Sequence, residues 1–196
     1  MQFMNSICVF CGSRPGANPV YREKATKVGH ILADKGLKLI YGAGKVGLMG
    51  AVANAMLAKN GHVTGIIPQF LVEKEVAHDG LNELIIVNSM HERKQKMAEM
   101  ADAFLILPGG IGTMEEFFEV FTWGQLGLHQ KPIGILNVGS YYDLLIQFLN
   151  HSVAQEFMSQ QTKDIVFTDT NPETLLRKMR GYKAPHTDKL LNSERI

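Results

Sequence analysis

The sequence predicts an α/β fold, a three-layer sandwich built on a mainly parallel sheet of about seven strands. Runs rich in valine, isoleucine and leucine alternate with helix-length stretches along the chain, the pattern of repeated strand–helix units. Those runs are apolar throughout rather than alternately apolar and polar, as strands covered by helices on both faces must be. A chain of 196 residues, 45% of them hydrophobic, suffices for one well-buried core and is short for two complete domains.

In chain order the strand runs are ICVFCGS, KLIYGAG, VTGIIPQ, ELIIVNS, AFLILPG, PIGILNV and DIVFTD. Helices are expected over 19–35, 46–60, 90–101, 113–127, 141–155 and 172–180. The stretch 70–82, FLVEKEVAHDGLN, is charged and weakly periodic. It reads as a surface loop between two strands rather than a crossover helix, and long loops at such points often carry function. Residues 1–182 form one domain on this reading, and 183–196 a polar C-terminal tail.

A formal net charge of +1, from 20 basic and 19 acidic residues, offers no global attraction to a nucleic-acid polymer or an anionic membrane. Any charged ligand is met locally. The N-terminal MQFMNSICVFCGS has neither the basic flank nor the long apolar core of a signal peptide, and no later run reaches membrane-spanning length. The cytoplasm is the expected compartment. Cys8 and Cys11 form a C-x-x-C, which beside a strand–helix unit can mark a redox pair. On a strand, a spacing of three sends the two side chains to opposite faces, so they read better as separately packed thiols.

In a parallel sheet the helix N-termini gather along the strands' carboxyl edge, where ligands bind. Three such junctions carry unusual chemistry. The first, Gly42-Ala43-Gly44-Lys45-Val46-Gly47-Leu48-Met49-Gly50, lets backbone N–H groups approach an anion at a helix start. A dinucleotide fingerprint would want an acidic residue about twenty positions on, where Gly65-Ile66-Ile67-Pro68-Gln69 stands instead, and no Gly-Lys-Ser/Thr marks a Walker A loop. Tight helix-on-strand packing is the plain alternative. Lys45 reads as a solvent-exposed loop lysine.

The second junction is Pro108-Gly109-Gly110-Ile111-Gly112-Thr113-Met114-Glu115-Glu116, a second candidate phosphate cradle. Thr113 and Glu116 have capping-box spacing, so Glu116 has a purely structural reading as a helix cap. Against it, a carboxylate in the first turn beside glycines that admit substrate suits a general base or cation stabiliser in glycosidic chemistry. The third is Ser89-Met90-His91-Glu92-Arg93-Lys94, again with capping-box spacing from Ser89 to Glu92. Arg93 and Lys94 then oppose the helix dipole, and an anion should compensate them. Nearby carboxylates would do so in the plain reading, and a ligand in the functional one.

With PGGIGTMEE, the GLMG stretch, the CGS turn and the MxxRK run, the chain from about Ile7 to Leu149 resembles the LOG family of cytokinin riboside 5′-monophosphate phosphoribohydrolases, often mislabelled lysine decarboxylases. The resemblance implies a Rossmann-like, nucleotide-binding fold, a homodimer, and hydrolysis of an N6-modified AMP to free base and ribose 5-phosphate. It makes Arg93 and Glu116 the catalytic pair. Lys94, Gly109, Gly110, Ile111, Gly112, Thr113, Met114, Glu115, Thr122 and Glu75 become substrate contacts, with Gly44, Gly47, Met49 and Gly50 from the first loop. Ala43 stands where many relatives have glycine, and Arg14 where a small polar residue is usual.

The expected mechanism has the glycine loops and Lys94 hold the 5′-phosphate, a part of the substrate that does not react. Glu116 orients the ribose, offsets the oxocarbenium charge and positions water, while Arg93 supports the leaving purine. No metal and no cofactor are expected: the seven histidines show no ligand spacing, and nothing identifies a lysine for a pyridoxal phosphate Schiff base. A broader AMP or purine nucleotide nucleosidase is the alternative enzyme. A nucleotide or pterin-cofactor carrier on the same fold is the non-enzymatic one. The apolar bulk of Phe117, Phe118, Val120, Phe121 and Trp123 exceeds one buried stripe and points to a dimer interface.

Overall fold

The computed structural model describes residues 4–72 and 77–184. Seven strands form one parallel sheet: β1 (Ser6–Phe10), β2 (Lys38–Tyr41), β3 (Val63–Pro68), β4 (Glu83–Val87), β5 (Ala103–Ile106), β6 (Ile133–Leu136) and β7 (Val166–Asp169). Their order is β4-β3-β2-β1-β5-β6-β7. The chain therefore winds outward from β1 in one direction, returns, and winds outward from β5 in the other. β1 and β5 lie side by side, with Ile7 opposite Ala103 and Phe10 opposite Ile106. Such a reversal leaves a crevice at the strands' carboxyl ends.

The connections are α1 (Pro19–Asp34), α2 (Gly47–Leu57), α3 (Gln69–Val72), α4 (Met90–Met100), α5 (Ile111–Gln125), α6 (Asp143–Ala154), α7 (Gln160–Lys163) and α8 (Pro172–Arg180). Each layer has its own core. On one face, Ala25, Val28 and Leu32 of α1, Leu48, Val52 and Met56 of α2, and Leu175 and Met179 of α8 cover Ile7, Val9, Leu39 and Leu105. On the other, Met97 and Ala98 of α4, Phe117, Val120 and Phe121 of α5, and Leu149 of α6 cover Cys8, Phe10, Phe104 and Ile106.

Cys8 and Cys11 thus belong to opposite cores, both buried and unpaired. Burial pushes both thiols well above their ordinary range, which makes them poor nucleophiles. β1, β3, β5 and β6 are fully buried and β2 is buried beyond Lys38, but β4 at the edge of the sheet exposes Leu84 and Ile86. The stretch 70–82 is not wholly loop. Residues 69–72 make the short α3, and Ala77 bridges back to Gly44. Two small elements escaped the sequence pattern, α7 and a 3-10 turn at Val138–Ser140, each too short to show a period.

Candidate active site

A cavity of about 530 Å³ opens at the β1/β5 crevice. Its floor and walls come from the loop after β1 (Cys11, Gly12, Ser13, Arg14), the start of α2 (Leu48, Met49), Met90 and Arg93 of α4, and residues 108–113 with Glu115 and Glu116. Tyr21 and Tyr141, at 5.7 Å between ring centroids in an edge-on pair, close one side.

The N-terminus of α5 opens into the cavity without a side-chain cap. Gly110 caps the helix without any side-chain hydrogen bond, so the first-turn N–H groups have no intrahelical acceptor and add to the positive end of the dipole. Gly110 and Gly112 have no heavy atom near the space a Cβ would fill, and Ile111 is 88% exposed. Pro108 and Gly109 hold this turn in place: Gly12 N–H donates to the Pro108 carbonyl at 3.0 Å, and the Tyr141 hydroxyl donates to the Gly109 carbonyl at 2.7 Å. Tyr21 and Tyr141 had no motif in the sequence to announce them. Only the fold brings the ends of β1 and β6 together.

The first glycine loop has a different job. Leu48 and Met49 N–H groups at the start of α2 both point to the Gly12 carbonyl, at 3.0 and 3.4 Å. Gly47 lies at φ 64°, and a Cβ there would overlap the Ser13 backbone. Gly44, Gly47 and Gly50 do not line the cavity; Met49 does. Gly47 lets the start of α2 and the β1 loop touch backbone to backbone, while Gly44 and Gly50 make room for Met49 and the Lys45 carbonyl within the loop itself, the packing alternative of the sequence reading. Ala43 adopts φ 62°, the left-handed conformation that glycine favours.

Arg93 is 7% exposed and fixed by the sheet itself. Its Nε donates to the Ile66 carbonyl at 3.0 Å and its Nη2 to the Gly42 carbonyl at 2.9 Å. Gly42 is glycine because a Cβ would collide with that guanidinium. Ser89 caps α4 by accepting from Glu92 N–H at 3.1 Å, and Glu92 accepts from Asn88 N–H at 2.7 Å. This places Arg93 and Lys94 just past the first turn.

Glu116 does not cap α5. The helix begins three residues earlier than the capping-box spacing of Thr113 and Glu116 implies, with Gly110 at the cap and Thr113 buried inside the first turn. Glu116 is thereby released from the backbone and lines the cavity. Burial pushes its carboxyl up to about 7, with Glu115 and Glu119 adding to the rise and Arg93 and Lys94 opposing it. A carboxyl poised near neutrality, facing a cleft beside a fixed cation, is the profile of a general acid–base group.

Lys94 is not among the residues that line the cavity. Its ammonium donates to Glu115 and, at 2.9 Å, to Glu119, so α5 carboxylates compensate it and no phosphate is required. Of the other expected contacts, Gly109, Gly110, Ile111, Gly112, Thr113 and Glu115 line the cavity, while Met114 and the exposed Thr122 do not. Glu75 lies outside the described residues. Among the described residues, no group of three or more histidine, cysteine, aspartate or glutamate side chains is arranged to hold a metal ion.

Comparison with known proteins adds to this geometry. Residues 49–179 match a family model described as possible lysine decarboxylase. The chain is 44% identical over 184 residues to the Arabidopsis thaliana cytokinin riboside 5′-monophosphate phosphoribohydrolase LOG7, covering 94% of this chain and 84% of that one. It is 42% identical over 176 residues to the LOG enzyme of Oryza sativa subsp. japonica, covering 90% and 73%. Among solved structures, the molybdenum cofactor binding protein of Rippkaea orientalis superposes with a TM-score of 0.66 at 20% identity, over 92% of this chain and 98% of that one. The molybdenum cofactor carrier protein of Chlamydomonas reinhardtii superposes with a TM-score of 0.68 at 14% identity, over 92% and 100%. At those identities the superpositions concern the fold alone, whereas the sequence relatives settle the lineage: this chain belongs to the LOG family.

Proposed function

We propose that the protein hydrolyses the N-glycosidic bond of N6-modified adenosine 5′-monophosphates, releasing free base and ribose 5-phosphate. Membership of a family whose relatives are named for that reaction supports the reading. The observation that carries it is Glu116, a half-buried carboxyl held near pH 7 in the same cavity as a helix N-terminus that no side chain caps.

Breaking the bond leaves positive charge on the ribose and negative charge on the purine. The N-terminus of α5 receives the 5′-phosphate and anchors the substrate by a group that does not react. Ionised Glu116 then offsets the oxocarbenium charge, orients the ribose and accepts a proton from the attacking water as its oxygen bonds to C1′. The departing purine anion takes up one proton and Glu116 gives its own back, so free base leaves and the carboxylate is restored. Arg93 cannot swing, being tied to two backbone carbonyls; it keeps positive charge beside Glu116 and favours the ionised form. Lys94 acts from behind, between Glu115 and Glu119. Substituting Glu116→Gln in folded protein should lower turnover of N6-isopentenyl-AMP by at least about a hundredfold. A rate near that of the parent protein would remove Glu116 from the mechanism.

The reading includes a cytoplasmic homodimer. Among the described residues no helix is long and apolar enough to cross a membrane. Phe117, Val120 and Phe121 of α5 are ordinary core, leaving Phe118 and the neighbouring Thr122 on the exposed side for a second copy. A carrier role similar to that of the molybdenum cofactor proteins rests on shared fold, which does not transfer function.

A further inference from the structure

The 5′-phosphate proposed above would bring about two negative charges into the cavity at neutral pH. The N-terminus of α5 meets them with neutral N–H groups and a partial charge of roughly half a unit. A full cation is wanted, and the obvious two are occupied. Arg93 is held by the Gly42 and Ile66 carbonyls. Lys94 is enclosed by Glu115 and Glu119 and lies away from the cavity surface. Lys45, on the first glycine loop, faces Asp79 at 3.4 Å and does not line the cavity either.

Arg14 differs from all three. It lines the cavity and is exposed, and among the described residues its side chain makes neither an ion pair nor a hydrogen bond. Its loop is built onto the turn that leads into α5. Gly12 N–H binds the Pro108 carbonyl, and a Cβ on Gly12 would lie 3.4 Å from the Gly109 Cα. On the far side the loop passes Gly16, against whose Cβ position the Tyr21 ring packs, and Tyr21 leads to Tyr141 on Gly109. Arg14 thus hangs on a short, braced loop beside the mouth of α5, with a planar fork of donors suited to phosphate oxygens.

We propose that Arg14 is the counter-ion of the ligand's 5′-phosphate and sets the preference of this chain for phosphorylated over dephosphorylated ligands. The inference rests on the nucleotide reading of the cavity but not on the hydrolytic step. Binding of ribose 5-phosphate and of AMP by calorimetry, to the parent protein, Arg14→Ala and Arg14→Lys, tests it directly.

Arg14→Ala should weaken both ligands at least tenfold, about 1.4 kcal/mol, and flatten the dependence of affinity on salt. Arg14→Lys should recover part of the loss, as a cation without the fork. The ratio of kcat/KM for N6-isopentenyl-AMP over its nucleoside should fall with the phosphate affinity. Unchanged ribose 5-phosphate affinity in Arg14→Ala would overturn the proposal, as would no detectable binding to the parent protein. Being exposed, Arg14 can be replaced with little risk to folding. Arg14-dependent binding without release of base from any monophosphate would leave this inference standing and overturn the proposed hydrolysis; release of base with Arg14-independent binding would do the reverse.

Discussion

Glu116 is the residue on which chemistry and stability pull in opposite directions. Its folded-state carboxyl titrates near 7, against an ordinary value near 4.5, chiefly because it is buried. The fold therefore prefers the protonated form. The group is neutral in both states well below pH 4.5. Between about 4.5 and 7 the unfolded chain ionises it while the fold keeps it protonated, so stability falls across that window and stays lower above it, by about 3 kcal/mol at the limit. Glu116→Gln removes that ionisation. It should melt at a higher temperature than the parent protein at pH 8 and at nearly the same temperature at pH 4.5. A lower melting temperature at pH 8 would mean that the ionised carboxylate is instead well compensated. Activity needs the form that stability disfavours, so kcat/KM should climb with pH through about 7 and then level off.

At the scale of elements, α4 and α5 meet through charge as well as packing. Lys94 reaches from α4 to Glu115 and Glu119 on α5, while its neighbour Arg93 is tied to Gly42 just past β2 and to Ile66 within β3. Removing the ammonium leaves two carboxylates beside Glu116 with one less cation to oppose them. Lys94→Ala should move the rise of kcat/KM to higher pH while leaving ribose 5-phosphate affinity closer to the parent value than Arg14→Ala does. A Lys94→Ala profile with its inflection unmoved, and phosphate affinity lost, would restore Lys94 to direct contact with the ligand.

The same two elements show what a sequence reveals. The strand runs and the long helices were legible because burial imposes a period on the chain, and the PGGIGT turn announced a helix start that opens into the cavity. Spacing alone misled at Thr113 and Glu116, where S/T-x-x-E fits a capping box but Gly110 takes the cap, and a three-residue shift turns a cap into a catalytic candidate. The first glycine loop carried two meanings that only atomic contacts separate: its N–H groups go to the Gly12 carbonyl. Lys94 looked like a ligand residue because its partners lie on another element, 21 and 25 residues on. Tyr141 was silent for the same reason, since it meets Gly109 only through the fold.

For the whole molecule, a single parallel sheet reverses its winding between β1 and β5, and everything assigned to the ligand sits on that reversal. The outward side of α5, with Phe118 and Thr122, and the edge strand β4, with Leu84 and Ile86, leave apolar surface uncovered in one copy. Light scattering should give twice the mass of the chain; a strictly monomeric mass would remove the dimer from the account. The central claim, that this cavity cleaves a phosphorylated nucleoside, is met most directly by incubating the purified protein with N6-isopentenyl-AMP, AMP and their dephosphorylated nucleosides and measuring released base by chromatography. The account predicts release from the monophosphates only, fastest with N6-isopentenyl-AMP; no base from either monophosphate would contradict it.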